Sequence, residues 1–212
     1  MAIVRLLIDL SLASKCTFCL ITGMMLPNYN GVTHMTVESH LPETLTTPRL
    51  RWRGMQDTDI DVIYRQFSDL DMCACFSDPP CSMSEAIEII HHYADMRKTR
   101  SLRYATFSSD TGAFIGTCGY HFYETTTKQL EIGYDVWKNY WRQGYASEML
   151  EQLIKLCTVN LGVTKIYALI GLHNSASQAT VRKFGFIPGD FLRAVSDIER
   201  HTTACWHLDI TE

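Results

Sequence analysis

The residues whose chemistry is easiest to interpret form the loop Trp141-Arg142-Gln143-Gly144-Tyr145-Ala146. The surrounding pattern predicts that a strand ends before this loop and that a long helix starts at Gly144. The first N–H groups of a helix lack intrahelical partners, and the helix dipole adds a partial positive charge. Gly144 lets the backbone approach an anion closely, and Arg142 adds a formal charge. The loop therefore predicts a pyrophosphate site, although glycine at such a junction also serves tight packing alone.

The elements that must position this loop alternate between strand and helix from Pro48 onward. Strands are predicted over residues 50–53, 102–107, 113–123, 129–137, 165–170, 191–195 and 203–210. Helices are predicted over residues 57–67, from Ser84, over 144–161 and over 175–184, and residues 71–82 read as a loop because they contain two prolines. This order predicts a mixed α/β (α+β) fold in which helices flank one sheet.

The strand before the loop alternates cleanly between two faces. One face carries Leu130, Ile132, Tyr134 and Val136, and the other carries Glu131, Gly133 and Asp135. Glu131 therefore points to the polar side of the strand, where a carboxylate lines a cleft or is simply solvated. Asp135 lies on the same face and is interpreted as structural.

The composition indicates one globular domain with a sizeable core. The chain has 212 residues, of which 46% are hydrophobic and 20% are charged. Residues 1–40 are interpreted as an N-terminal extension outside the fold, and residues 41–212 as the domain. Asp9 and Lys15 interrupt the apolar run of the extension, which makes it a poor signal peptide. Met35 is the favoured translation start.

The charge and the cysteines argue against several classes of partner. A formal net charge of -4 gives no footprint for a nucleic acid or an anionic membrane. The eight cysteines are interpreted as reduced thiols of a cytoplasmic protein, since a domain of this size does not need disulfides. Cys73-x-Cys75 has none of the usual zinc spacings, so no metal is expected. A monomer and a homodimer both remain open.

Two longer motifs carry a resemblance to a known family. The run 131–137 together with 140–148, which contains the loop, resembles the cofactor motif of the GNAT acyltransferase superfamily. Residues 173–177 and 182–186 are similar to its second motif. Residues 45–53 are similar to the start of the branch that includes the ribosomal-protein alanine N-acetyltransferases (the Rim-type branch). The resemblance covers residues 45–210 and implies the GNAT fold, a central, mostly antiparallel, splayed sheet flanked by helices.

The resemblance also implies an activity. GNAT enzymes transfer an acyl group, here expected to be acetyl, from acetyl-CoA to a primary amine by direct attack in a ternary complex. The acceptor is expected to be a protein N-terminus or a small-molecule amine. Glu131 matches the family's glutamate base. Many members use a tyrosine as the general acid where this chain has Val181, and Ser177 matches the serine that replaces it in the Rim-type branch. A helix-start serine that only satisfies backbone groups is the alternative.

The resemblance assigns the cofactor contacts as well. The loop residues implied to hold the acetyl-CoA pyrophosphate are Trp141, Arg142, Gln143, Gly144, Tyr145, Ala146 and Ser147. The main chain of Val136 and Trp137 would contact the thioester and pantetheine, in a slot made by splaying from the strand at 165–170. Asn174 would bind the pantetheine, and its alternative role is helix capping. Lys183 and Phe184 would border the cofactor.

Two functions from other classes remain as alternatives. A non-catalytic module that binds CoA or a nucleotide would keep the loop and need no base. A dinucleotide-dependent dehydrogenase is disfavoured, because no Gly-x-Gly-x-x-Gly follows an early strand. One departure from the family pattern is Trp141, since the superfamily often has Gln or Arg at that position. The loop acts mostly through backbone N–H groups, so this departure changes the expectation little.

Overall fold

Eight strands form a single sheet in the computed structural model, which describes residues 41–76, 79–94, 101–191 and 197–210. The strands are β1 (Thr44–Thr46), β2 (Leu50–Gly54), β3 (Leu102–Ser108), β4 (Phe114–Glu124), β5 (Gln129–Val136), β6 (Lys165–Gly171), β7 (Ile187–Pro188) and β8 (Thr203–Asp209). Their order in the sheet is β1-β2-β3-β4-β5-β6-β8-β7. The predicted extension 1–40 and positions 192–195 of a predicted strand lie outside the described residues, and Phe191 is not in a strand.

The helices follow the predicted order with two additions. They are α1 (Ile60–Ser68), α2 (Leu70–Phe76), α3 (Met83–Ala94), α4 (Tyr145–Leu161), α5 (Ser175–Lys183) and α6 (Asp197–Thr202), of which α2 and α6 are the additions. Short 3-10 turns, Asp57–Asp59 and Lys138–Tyr140, precede α1 and follow β5. In the part of the chain that the structure describes, no helix has the length and apolar character needed to cross a membrane.

The prediction of a loop over residues 71–82 was wrong in its first half, where α2 is found. The carboxylate of Asp69 accepts hydrogen bonds from the backbone N–H groups of Asp71 (3.0 Å) and Met72 (3.2 Å) and thereby caps the helix. Met72 and Cys73 are buried on its inner side. The prolines that suggested a loop come only after the helix has ended. Asp69 ahead of an apolar stretch was the available signal.

Helices cover both faces of the sheet. The helix predicted over residues 144–161 is α4, and one side of it is buried in the larger core, together with alternate residues of β3, β4 and β5. The buried residues of this helix are Met149, Leu150, Leu153, Leu156, Cys157 and Leu161. On the opposite face, α1 and α3 close a smaller core around Ile63, Phe67, Ile90 and Tyr93. The sheet is thus a middle layer between α4 and the α1–α3 pair.

The sheet splays at the end of β5, ahead of the loop formed by residues 141–146, which we call the phosphate loop. β5 and β6 are parallel and pair only at Gln129–Lys165, Leu130–Ile166 and Glu131–Tyr167. Beyond these pairs β5 continues to Val136 and β6 to Gly171, so the two strands separate. Every other pairing among the described strands is antiparallel. The predicted sheet, mostly antiparallel and splayed, is confirmed.

Candidate active site

A cavity of about 590 Å³ lies at the splay, between the end of β5, the start of α4 and α5, and α2. Its volume falls within the range of roughly 300–1,000 Å³ that is usual for ligand pockets. Most of the predicted site residues line it, namely the cofactor-binding residues Val136, Trp141, Arg142, Gly144, Tyr145, Ala146, Ser147, Asn174 and Lys183 and the catalytic residue Ser177. Residues from two motifs that are thirty residues apart in the sequence therefore share one cavity.

The remaining predicted site residues do not line this cavity. They are Glu131, Trp137, Gln143 and Phe184. The Gln143 side chain donates to the carbonyl oxygen of Asn139 (3.1 Å), and Phe184 packs against the larger core. Conversely, the sequence analysis did not predict the lining by Met72, Cys75, Tyr134, Asp135, Tyr140, His173, Ser175, Ala176 and Thr180. Two of these belong to α2, whose helical structure was not expected.

The backbone of the phosphate loop is unusual in a way that suits an anion. Arg142 and Gly144 both have left-handed conformations, with φ values of 59° and 83°. For a non-glycine residue such as Arg142 this conformation costs about 1–2 kcal/mol. Left-handed residues that alternate with ordinary ones direct successive N–H groups into one concavity, which binds anions. The first turn of α4 adds its own N–H groups, and Arg142 and Lys183 bring positive charge to the wall.

The main chain at the end of β5 faces the gap in the sheet. The Trp137 N–H donates to the carbonyl oxygen of Ile115 (2.7 Å), so it is part of the pairing with β4. Because main-chain groups alternate sides along a strand, the N–H of Val136 points the other way, towards the splay. The Val136 carbonyl accepts a hydrogen bond from the indole Nε1 of Trp141 (2.7 Å). The Trp141 side chain therefore holds the phosphate loop against the end of β5.

Asn174 connects two walls of the cavity. Its Oδ1 accepts a hydrogen bond from the Ser177 N–H (3.0 Å), which caps α5 as the alternative interpretation expected. Its Nδ2 donates to the carbonyl oxygen of Cys75 (3.3 Å) at the end of α2. An amide nitrogen carries two hydrogens, so Asn174 keeps one donor for a ligand.

Ser177 forms a hydrogen bond that the sequence analysis missed. Its Oγ lies 2.9 Å from the hydroxyl oxygen of Tyr134. Burial raises the pKa of Tyr134 to about 12, so the phenol stays protonated at neutral pH. Strand alternation correctly put Tyr134 on the apolar face, but nothing in the sequence indicated that its hydroxyl would reach α5.

Glu131 is buried rather than solvated. Only 1% of the residue is exposed, so the alternative of a solvent-exposed carboxylate is excluded. In the sheet it lies directly opposite His121 of β4 and beside Tyr167 of β6. Residues that are directly opposite in an antiparallel pair project from the same face, which is here the face covered by α1 and α3.

The same face holds a buried polar cluster, which we define as Gln66, Tyr93, Arg103, Thr117, His121 and Asp135. Arg103 donates to the carboxylate of Asp135, and Gln66 donates to its other oxygen. Thr117 adds bonds to Asp135 from its hydroxyl (2.6 Å) and its N–H (3.0 Å). Burial alone would lower the pKa of Arg103, but the attraction of Asp135 outweighs it and raises the pKa. This agrees with the structural role predicted for Asp135.

Comparisons with known proteins agree with this geometry. Residues 49–187 match the family model described as "Acetyltransferase (GNAT) domain". The uncharacterised N-acetyltransferase YoaA of Bacillus subtilis (strain 168) is 30% identical over 151 residues, which are 70% of this chain and 85% of that protein.

Two solved structures of acetyltransferases whose names state a substrate share the fold. Spermidine N-acetyltransferase of Vibrio cholerae, in complex with CoA and spermine, matches with a TM-score of 0.64 at 13% identity, over 77% of this chain and 96% of that one. RimL, a ribosomal L7/L12 alpha-N-protein acetyltransferase in complex with CoA, matches with a TM-score of 0.62 at 16% identity, over 79% and 98% of the two chains. At these identities the likeness shows the fold alone.

The chain therefore belongs to the GNAT acetyltransferase family. It is an acyl-CoA-dependent N-acetyltransferase, with acetyl-CoA as its co-substrate and an amine as its acceptor.

Proposed function

We propose that the protein acetylates a primary amine, either a protein N-terminus or a small molecule, by direct attack of the amine on acetyl-CoA in a ternary complex. The observation that carries this proposal is the cavity at the splay of β5 and β6. The left-handed loop at Arg142 and Gly144 lines this cavity, and so do Asn174 and Ser177. An anion site and hydrogen-bonding side chains within one cavity suit a pyrophosphate and the pantetheine arm attached to it.

In this proposal the cofactor is held along the cavity. The pyrophosphate binds the backbone N–H groups of the loop and the first turn of α4, and Arg142 and Lys183 contribute charge. The pantetheine arm lies in the gap beside β5, where the Val136 N–H faces the thioester oxygen and stabilises its developing negative charge. Asn174 donates its remaining amide hydrogen to the arm. These contacts hold the reacting carbon at the end of β5.

Glu131 is proposed as the base that accepts the proton of the attacking amine. An α-amino group has a pKa of about 8 and a lysine side chain one of about 10.4, so both need to lose a proton before attack. Since Glu131 is buried and does not line the cavity, the proton reaches it through a water molecule rather than directly. The neighbouring position of His121 in β4 keeps this region polar.

Ser177, which is hydrogen-bonded to Tyr134, is proposed as the group that protonates the leaving thiolate. The thiol pKa is about 8.5, so the reaction needs little help at this step. We expect Ser177→Ala and Tyr134→Phe each to lower kcat by about two- to tenfold, the equivalent of one hydrogen bond. Because the two hydroxyls act through one bond, the double variant should be no slower than the slower single variant. Steady-state kinetics at saturating acetyl-CoA measure this, and fully additive losses would show that the two hydroxyls act separately.

The acceptor is the part of the proposal that most needs an experiment. The elements expected to contact it are α2, α3 and the turn that joins β4 to β5. Of the two similar structures, the spermidine N-acetyltransferase acts on a polyamine and RimL acts on a protein N-terminus, and both acceptors are primary amines. The test is release of CoA thiol from acetyl-CoA in the presence of an amine panel that contains short peptides with free N-termini, polyamines and amino acids. We expect turnover with one class of primary amine. Tight CoA binding without turnover on any amine would contradict the proposal.

A further inference from the structure

A segment that lies ahead of β2 holds the phosphate loop from outside the cavity. Glu148, in the first turn of α4, is bound by three donors of this segment. They are the hydroxyl of Thr47 (2.5 Å), the backbone N–H of Arg49 (2.9 Å) and the Nε of Arg49 (2.7 Å). Burial alone would raise the pKa of Glu148, but the hydrogen bonds from Thr47 and Arg49 outweigh it and lower the pKa. The carboxylate therefore stays charged at neutral pH and keeps its bonds.

Arg49 also contacts three consecutive residues of the loop itself. Its Nη1 donates to the carbonyl oxygen of Gln143 (2.8 Å). Its Nη2 lies 3.4 Å from the point that a Cβ on Gly144 would occupy. Its guanidinium carbon is 4.4 Å from the centre of the Tyr145 ring, within the range of a cation–π contact. One side chain thus touches the loop at its carbonyl, at its glycine and at the first residue of the helix.

The bond to the Gln143 carbonyl determines where the next N–H points. The C=O and N–H of one planar trans peptide unit point in opposite directions. When Arg49 holds the oxygen of Gln143, the N–H of Gly144 is therefore directed away from Arg49. Gly144 lines the cavity and Arg49 does not. Arg49 consequently supports the loop from behind and keeps one of its anion-binding donors in place.

We propose that Arg49 is a positioning residue for the acetyl-CoA pyrophosphate. Its contacts with Gln143, Gly144 and Tyr145 hold the phosphate loop in the conformation that binds the pyrophosphate. The inference rests on the proposed role of this loop. The left-handed backbone of Arg142 is costly for a residue with a side chain and persists only where its surroundings hold it. Arg49, together with Glu148, supplies that support.

A purely structural role for Arg49 makes a different prediction. The Arg49 side chain is 44% exposed and that of Glu148 12% exposed. An ion pair with one partner so exposed contributes little to global stability. We therefore expect its loss to change the loop rather than the fold, and to affect only ligands that carry the pyrophosphate.

The experiment compares two acetyl donors in Arg49→Gln. With acetyl-CoA, kcat/KM should fall about tenfold through KM, as expected when a bond to a charged group is lost. With S-acetylpantetheine, which lacks the pyrophosphate, kcat/KM should stay within twofold of the parent value. Arg49→Lys should behave like Arg49→Gln, because an ammonium cannot bond Glu148 and the Gln143 carbonyl in the same forked geometry. Arg51→Gln is the matched control, because Arg51 is an exposed arginine of β2 only two residues after Arg49. It should leave kcat/KM unchanged for both donors.

The possible outcomes separate the inference from the proposed function. An equal loss with both donors, an unchanged KM for acetyl-CoA, or full rescue by Arg49→Lys would overturn the positioning role while leaving the enzyme's activity established. A parent protein that turns over neither donor would contradict the proposed function instead. Glu148→Gln is a second variant for the case that Arg49→Gln does not fold. It removes the negative charge that binds the Nε of Arg49. It should therefore lower kcat/KM with acetyl-CoA but not with S-acetylpantetheine.

Discussion

Glu131→Gln should lower kcat by about 10²- to 10⁴-fold, the usual contribution of a general base. Glutamine keeps the size and polarity of the side chain but cannot accept the proton. Because Glu131 does not line the cavity that we assign to the cofactor, the Kd for acetyl-CoA should stay unchanged. The free energy of unfolding should also change little, since the substitution removes only the charge.

The pH dependence separates a base from a residue that only shapes the site. Above about pH 8 an α-amine loses its proton without help, so the deficit of Glu131→Gln should shrink as the pH rises. A lysine-type amine should show the same recovery only at higher pH. Glu151→Gln, an exposed carboxylate on α4, is the matched control and should leave kcat unchanged. A kcat equal to that of the parent at every pH would exclude Glu131 as the base.

Arg103→Met should lower the free energy of unfolding by about 3–5 kcal/mol. It leaves the carboxylate of Asp135 buried with Gln66 and Thr117 but without its cation. An unpaired buried charge is costly because the protein interior cannot replace its hydration. Urea unfolding of the parent and the variant measures the difference. Arg65→Met, an exposed arginine on α1, should change the value by no more than about 0.5 kcal/mol.

A second substitution tests the reason for this loss. Arg103→Met combined with Asp135→Asn removes both charges and keeps an acceptor for Gln66 and Thr117. The double variant should therefore be more stable than Arg103→Met alone. If the double variant were less stable than the single variant, the cost would come from lost packing of the Arg103 side chain and the charge argument would fail.

Much of the fold and of the cofactor cavity follows from local sequence. The strands that alternate strictly and the long helix α4 were predicted to within one or two residues, because hydrophobic periodicity reports directly which face is buried. The loop at Gly144 was predicted for a similar reason. Its glycine stands at the junction of strand and helix, and the left-handed φ of 83° strongly favours that residue type.

The features that were missed depend on contacts that are distant in the sequence. Arg49 reaches Gln143 across 94 positions, and Gln66 reaches Asp135 across 69. Periodicity and turn signals act over a few residues and cannot indicate such pairs. The missed helix α2 has a different cause. The prolines at 79 and 80 favour a loop and were taken to apply to all of residues 71–82. The capping residue Asp69 is close enough in the sequence to indicate the start of a helix.

The central claim is that an acetyl group moves from acetyl-CoA to a primary amine at the cavity of the Gly144 loop. The most direct test uses acetyl-CoA labelled in its acetyl group, together with the best amine of the panel, and measures CoA thiol and labelled amine in the same sample. We expect equal amounts of the two products, and neither product when the amine is omitted. Thiol that forms without labelled amine, or labelled protein that accumulates in place of labelled amine, would contradict it.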